Sequence, residues 1–170
     1  SDRGLSVDFF ASTDGTGASL GSLVFPDADT GLRDKNNNLI RPVAARSATF
    51  DGYLEVPAAG AYRFFVALDK QNAAVDVHFE HLAGGLFWSG ASAADGAILG
   101  DKPNEYIELK PGVPYRFTIK LRNLGGGDAR ILVQGETTPK DNLSQLALYS
   151  VTSLSSAERA VGLLTKALGL

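Results

Sequence analysis

At 170 residues, with 44% hydrophobic and 21% charged side chains, the chain has the size and composition of one globular domain, not of a disordered segment. A net charge of −3 without clustered Lys/Arg argues against a nucleic-acid binder, and no apolar run approaches the roughly 20 residues that cross a bilayer as a helix. There is no cysteine, hence no disulfide or thiol chemistry. There is also no methionine, so the chain is expected to be an excised piece of a longer protein, with any targeting signal outside it.

In chain order, Leu5, Val7 and Phe9 alternate with Ser6, Asp8 and Phe10, which predicts a first strand. Residues 12–21 are rich in Ser, Thr, Gly and Asp and read as a loop, and the apolar run Leu23-Val24-Phe25 stops at Pro26. Residues 27–38 form a long polar segment. Two alternating strands joined by a turn follow, and they read as a half-buried hairpin. Ala48, Phe50, Gly52, Leu54 and Val56 share one face of the first, and Tyr62, Phe64 and Val66 share one face of the second. Pro57 pre-sets a turn and Gly60 accepts backbone angles closed to other residues.

Val75, Val77 and Phe79 alternate with Asp76, His78 and Glu80 in a further strand, and residues 84–104 read as a second long loop. A short strand at 106–109 leads through Lys110-Pro111-Gly112 to the cleanest alternation in the chain, Tyr115, Phe117, Ile119 and Leu121 against Arg116, Thr118, Lys120 and Arg122. Gly125, Gly126 and Gly127 connect this strand to another at 129–135, and residues 146–149 add a last short one. From Leu154 the period changes. Ser155 and Glu158 have capping-box spacing, and Ala157, Val161, Leu164 and Leu168 form a helical stripe. Such a helix needs a packing surface, either a following domain of the parent protein or the sandwich itself. The fold class expected is all-β, an antiparallel β-sandwich over residues 1–152 with long loops, and a C-terminal α-helix over 153–170.

Several separated segments resemble the PA-fourteen domain, a β-sandwich module named after the protective antigen of anthrax toxin. The opening Gly4-Leu5 with Phe9-Phe10 is similar to the family's first strand. Its hallmark aromatic-X-Gly-Tyr-Leu, Pro-X-X-Gly and Tyr-X-Phe run appears as Phe50 to Leu54, Pro57 to Gly60 and Tyr62 to Phe64. The Leu-X-X-Gly-X-X-Tyr segment appears as Leu109 to Tyr115, and the Gly-rich turn as Asn123 to Gly127. The phrasing of residues 52–65 and 112–135 also resembles the versions embedded in the A subunits of Tc-type insecticidal toxin complexes.

The resemblance implies binding, not catalysis: a carbohydrate- or receptor-binding module of a larger secreted bacterial toxin, meeting a cell-surface glycan. The alternatives are a structural spacer or shielding domain of the toxin body, and a carbohydrate-targeting insert in a glycosidase. In adhesins of this family, two adjacent aspartates after the hairpin hold calcium. Asp69 matches the first, but Lys70 stands where the second belongs, and an ammonium repels a cation. Ligand-binding candidates are Asp69, Asn72, Trp88 and Asp95, on the loops that a rigid sandwich presents.

Other constellations carry less chemistry. Asp34-X-Asn36-X-Asn38 opens like a calcium loop, yet Leu39 and Ile40 replace the sharp glycine turn and Ala45 the closing Glu, so a solvated loop is the preferred reading. Asp27-X-Asp29-X-Gly31 shares that weakness. His78 and His81 are the only histidines, and their spacing on a strand points them apart. Trp88 in its Gly-rich surroundings is either an exposed platform for a sugar ring or, with Leu86 and Phe87, a cap on the sandwich. There is no Gly-X-Ser-X-Gly elbow, Walker loop or metal-His motif, and the triple glycine precedes a strand, so an enzyme is not expected.

Overall fold

The computed structural model describes residues 4–25, 41–151 and 168–169. The Asp27–Gly31 pattern, the Asp34, Asn36 and Asn38 set and nearly all of the expected C-terminal helix lie outside the described residues. Among the described residues twelve strands build two antiparallel sheets: β1 (Leu5–Phe10), β2 (Gly21–Phe25), β3 (Ser47–Glu55), β4 (Gly60–Leu68), β5 (Ala74–Phe79), β6 (Leu86–Ala91), β7 (Ala97–Leu99), β8 (Ile107–Leu109), β9 (Tyr115–Arg122), β10 (Ala129–Gly135), β11 (Asp141–Asn142) and β12 (Ala147–Tyr149). The larger sheet runs β2-β1-β3-β9-β5-β6, with β12 continuing beside β3. The smaller runs β11-β10-β4-β7, with β8 pairing the start of β4. The chain is an all-β antiparallel sandwich.

The alternating residues do what their period requires. Phe50, Leu54, Val75, Val77, Phe117, Ile119 and Leu121 from the larger sheet meet Phe64, Val66, Ile131 and Val133 from the smaller, all buried. Each large apolar side chain removed from water contributes about 1.5–3 kcal/mol. At the centre Phe64 of β4 packs on Phe79 of β5 at 5.4 Å between ring centroids, and Phe79 stacks on Phe117 of β9 at 6.0 Å. The outward faces mix polar and charged side chains with a few apolar ones, such as Phe65 beneath the Lys140 ammonium. In the larger sheet Asp51 takes an ion pair from Arg116 and a hydrogen bond from Thr118 at 3.1 Å, while Arg116 also covers the Tyr53 ring.

One expectation is corrected at the turn after β3. The two strands flanking Pro57 and Gly60 are not a hairpin, because β3 lies in the larger sheet and β4 in the smaller. Val56 is buried, Pro57 is exposed, and the Tyr62 hydroxyl donates to the Ala58 carbonyl at 2.6 Å, tying the corner where the chain changes sheets. Alternation reports that one face is buried and is silent on which strand lies alongside.

A second correction concerns residues 84–104, which hold β6 and β7 within the expected loop. In β6 the register against β5 passes from His78↔Leu86 to Val77↔Trp88, so Phe87 is the extra residue of a β-bulge. The bulge turns two consecutive aromatics toward the core. Phe87 meets Phe79 at 5.7 Å and Trp88 is only 5% exposed.

Candidate functional site

The chain between β4 and β5 turns at Asp69, Lys70, Gln71 and Asn72. Asn72 sits at φ 66°, in the left-handed region that asparagine tolerates better than most residues. Its N–H donates to the Ser92 carbonyl at 2.8 Å, and its own carbonyl accepts the Asn123 side-chain amide at 3.0 Å. The Gln71 N–H donates to Asp95 Oδ1 at 2.9 Å, and the Gln71 amide donates to the Ala93 carbonyl at 3.0 Å. Asp69 Oδ1 accepts the N–H of Asp128. Three connections, 69–73, 92–96 and 123–128, are thereby cross-tied into one polar end of the sandwich.

Two more segments join it. The Asn123 N–H donates to the Thr13 carbonyl at 2.7 Å, and the Leu124 N–H to the Arg46 carbonyl at 2.8 Å. Arg41, almost wholly buried, donates to the Gly125 carbonyl. Within the 11–20 loop the Asp14 carboxyl is held below the usual carboxylate range by the Thr16 hydroxyl and then by the Thr16 N–H. Beside the polar end, Ala67, Asp69, Gly96, Asp128 and Arg130 line a shallow hollow of about 140 Å³.

The structure brings Asp69, Asn72 and Asp95 together on this end, all exposed to solvent. It does not bring Trp88 there as a platform. Its ring lies in the core beside Val77, and a Cβ at Gly100 would come within 3.0 Å of it. Sequence reasoning missed Asn123 and Asp128, whose backbone and side-chain groups close the cluster. Their only local signal is an Asx flank on either side of the glycine run, a composition that any solvated connection shares. The two histidines diverge: His78 lies on the outer face of β5, while His81 packs on the Tyr115 ring at 4.9 Å and on Phe79 at 5.7 Å. Partial desolvation against those rings holds the His81 pKa below its ordinary 6.5, although much of the side chain still meets water.

Calcium takes about six to eight hard oxygen ligands. At Asp69 one carboxylate oxygen is engaged by the Asp128 N–H, and the Lys70 stem packs where a Cβ on Gly125 would meet its Cδ at 2.6 Å. Among the described residues no three His, Cys, Asp or Glu side chains converge as a metal set. The residues around Asp69 do not fit calcium.

Fold and site together define a two-sheet antiparallel sandwich with a cross-tied polar loop cluster at one end. No family model matches the sequence, and no curated protein matches it. Solved structures do match. An anti-sigma factor domain-containing protein from Clostridium clariflavum superposes with a TM-score of 0.61 at 21% identity, over 88% of this chain and 48% of that one. The chain therefore spans about half the length of that relative. The PA14 sugar-binding domain from an RTX adhesin matches with a TM-score of 0.60 at 16% identity, over 88% of this chain and 99% of that one. The Epithelial Adhesin 6 A domain from Candida glabrata, solved with Galβ1-3GlcNAc, matches with a TM-score of 0.56 at 14% identity, over 91% and 89%. The fold is of PA14 type.

Proposed function

We propose that this chain is a non-catalytic carbohydrate-recognition module, displayed outside the cell by a larger protein, which offers its cross-tied loop end to a surface glycan. The observation that carries the reading is the exposure of Asp69, Asn72 and Asp95 on connections tied to one another by hydrogen bonds, two of which the Asp69 and Asp95 carboxylates accept from backbone N–H groups. Groups fixed in this way lose little conformational entropy when sugar hydroxyls engage them. The shared fold with a PA14 sugar-binding domain and with an adhesin domain solved around a disaccharide supports the same direction. The motif phrasing of residues 52–65 and 112–135 supports a toxin subunit of the Tc type as the parent, with residues 153–170 leading into its next part.

A glycan array probed with the intact chain, in calcium and in chelator, tests the reading. Binding to a defined glycan set that weakens in Asp69→Asn and Asp95→Asn is the expected result. A folded chain that binds no glycan under either condition overturns it. So does a parent protein in which hydrogen exchange finds the 69–73 and 92–96 loops buried, the outcome a spacer domain requires.

A further inference from the structure

The outer face of the smaller sheet carries a different hollow, of about 270 Å³. Arg63 on β4 and Gln134 on β10 are paired across the ladder at its floor. Pro103 and Tyr106 form one rim, and Glu136, directly after β10, forms another. The Arg63 guanidinium donates to the Pro103 carbonyl at 3.2 Å, which pins it and leaves its remaining N–H donors to the hollow. The Glu136 carboxyl lies over the bare Cα of Gly60, at φ 149°, where a Cβ would come within 3.1 Å of its Cδ. Among the described residues no hydrogen bond or ion pair engages Glu136, and the Tyr106 ring is 49% exposed.

These groups have a common chemistry. A carboxylate accepts from two neighbouring hydroxyls, a guanidinium and a primary amide supply donors, and an exposed ring offers a face to C–H groups. The charges of Arg63 and Glu136 cancel, so the hollow offers a charged sugar no net attraction over a neutral one. The volume lies just under the roughly 300 Å³ at which small-molecule sites begin, enough for one ring and not for an oligosaccharide. We propose that this hollow is a calcium-independent subsite for a single neutral pyranose ring, separate from the loop cluster. This inference rests on the carbohydrate-recognition reading above.

Saturation-transfer NMR of the intact chain with the methyl glycosides of glucose, galactose and mannose, in chelator, provides the test. One of them is expected to bind through its ring C–H face. Tyr106→Ala and Glu136→Gln are each expected to weaken it about tenfold, with thermal unfolding confirming that both variants fold. In an Asp69→Asn, Asp95→Asn background, which alters the loop-end carboxylates, Tyr106→Ala and Glu136→Gln are expected to weaken the remaining glycoside binding by the same factor. Binding lost in that double variant but kept in the two hollow variants overturns the subsite and leaves the loop-end reading standing. No glycoside binding beside a positive glycan array does the same. Tighter binding of methyl glucuronide than of any neutral glycoside overturns the assigned sugar class. Silence in both the array and the NMR removes the subsite and the carbohydrate reading together.

Discussion

Gly52 stands where β1, β3 and β12 crowd one another, and a Cβ there would meet the Tyr149 carbonyl oxygen at 2.5 Å and Leu5 Cδ2 at 2.8 Å. Backbone cannot swing aside as a side chain does, so Gly52→Ala is expected to destabilise the fold by about 1–3 kcal/mol. The readout is a lower urea midpoint at unchanged slope. Phe64→Ala, which empties the junction of Phe79 and Phe87, is expected to cost about 3–5 kcal/mol by the same measurement. His81 gives a pH dependence. Its folded pKa lies below 6.5, so the unfolded chain takes up the proton first. This contribution is whole above pH 6.5 and is lost as pH falls from there through the lowered folded value. His81→Gln is expected to flatten urea stability across that acidic window while leaving it intact at higher pH. Alternation placed Phe64 in the core directly, but the crowding at Gly52 depends on β12, nearly 100 residues away in sequence.

At the level of single strands, those with two packed neighbours announced themselves, as did the short edge strands β8 and β12, while the edge strands β6 and β7 did not. β9, between β3 and β5, reads as unbroken alternation because both neighbours hold its inner face against the core. β6 is an edge strand whose bulge places Phe87 and Trp88 on the same side, which erases the period. In β7 the one β-branched side chain, Ile98, is the exposed one, so its pattern reports no buried face. The tie from Asp95 to the Gln71 N–H belongs to this scale also. Asp95→Ala is expected to cost about 1 kcal/mol and to speed amide exchange at Gln71. Unchanged exchange there would show that the loop is held by the Ser92 and Asn123 contacts alone.

Across the whole molecule, the donor set at Asp69 predicts that chelator leaves the thermal midpoint of the chain unchanged. A calcium-dependent rise that survives Asp69→Asn would place the ion away from Asp69, with Asp34, Asn36 and Asn38 the next residues to substitute. The all-β class, the buried faces of β1, β3, β4, β5 and β9, and the polar character of Asp69, Asn72 and Asp95 are legible in the order of residues alone. Each of these follows from local period or from side-chain chemistry. That β3 and β4 part company at Pro57 into different sheets, that Trp88 belongs to the core, and that the loops around residues 70, 94 and 125 meet emerges from the folded arrangement. Those outcomes depend on which distant strand supplies a neighbour, and a chain read in one dimension carries the burial of a face without the identity of what covers it.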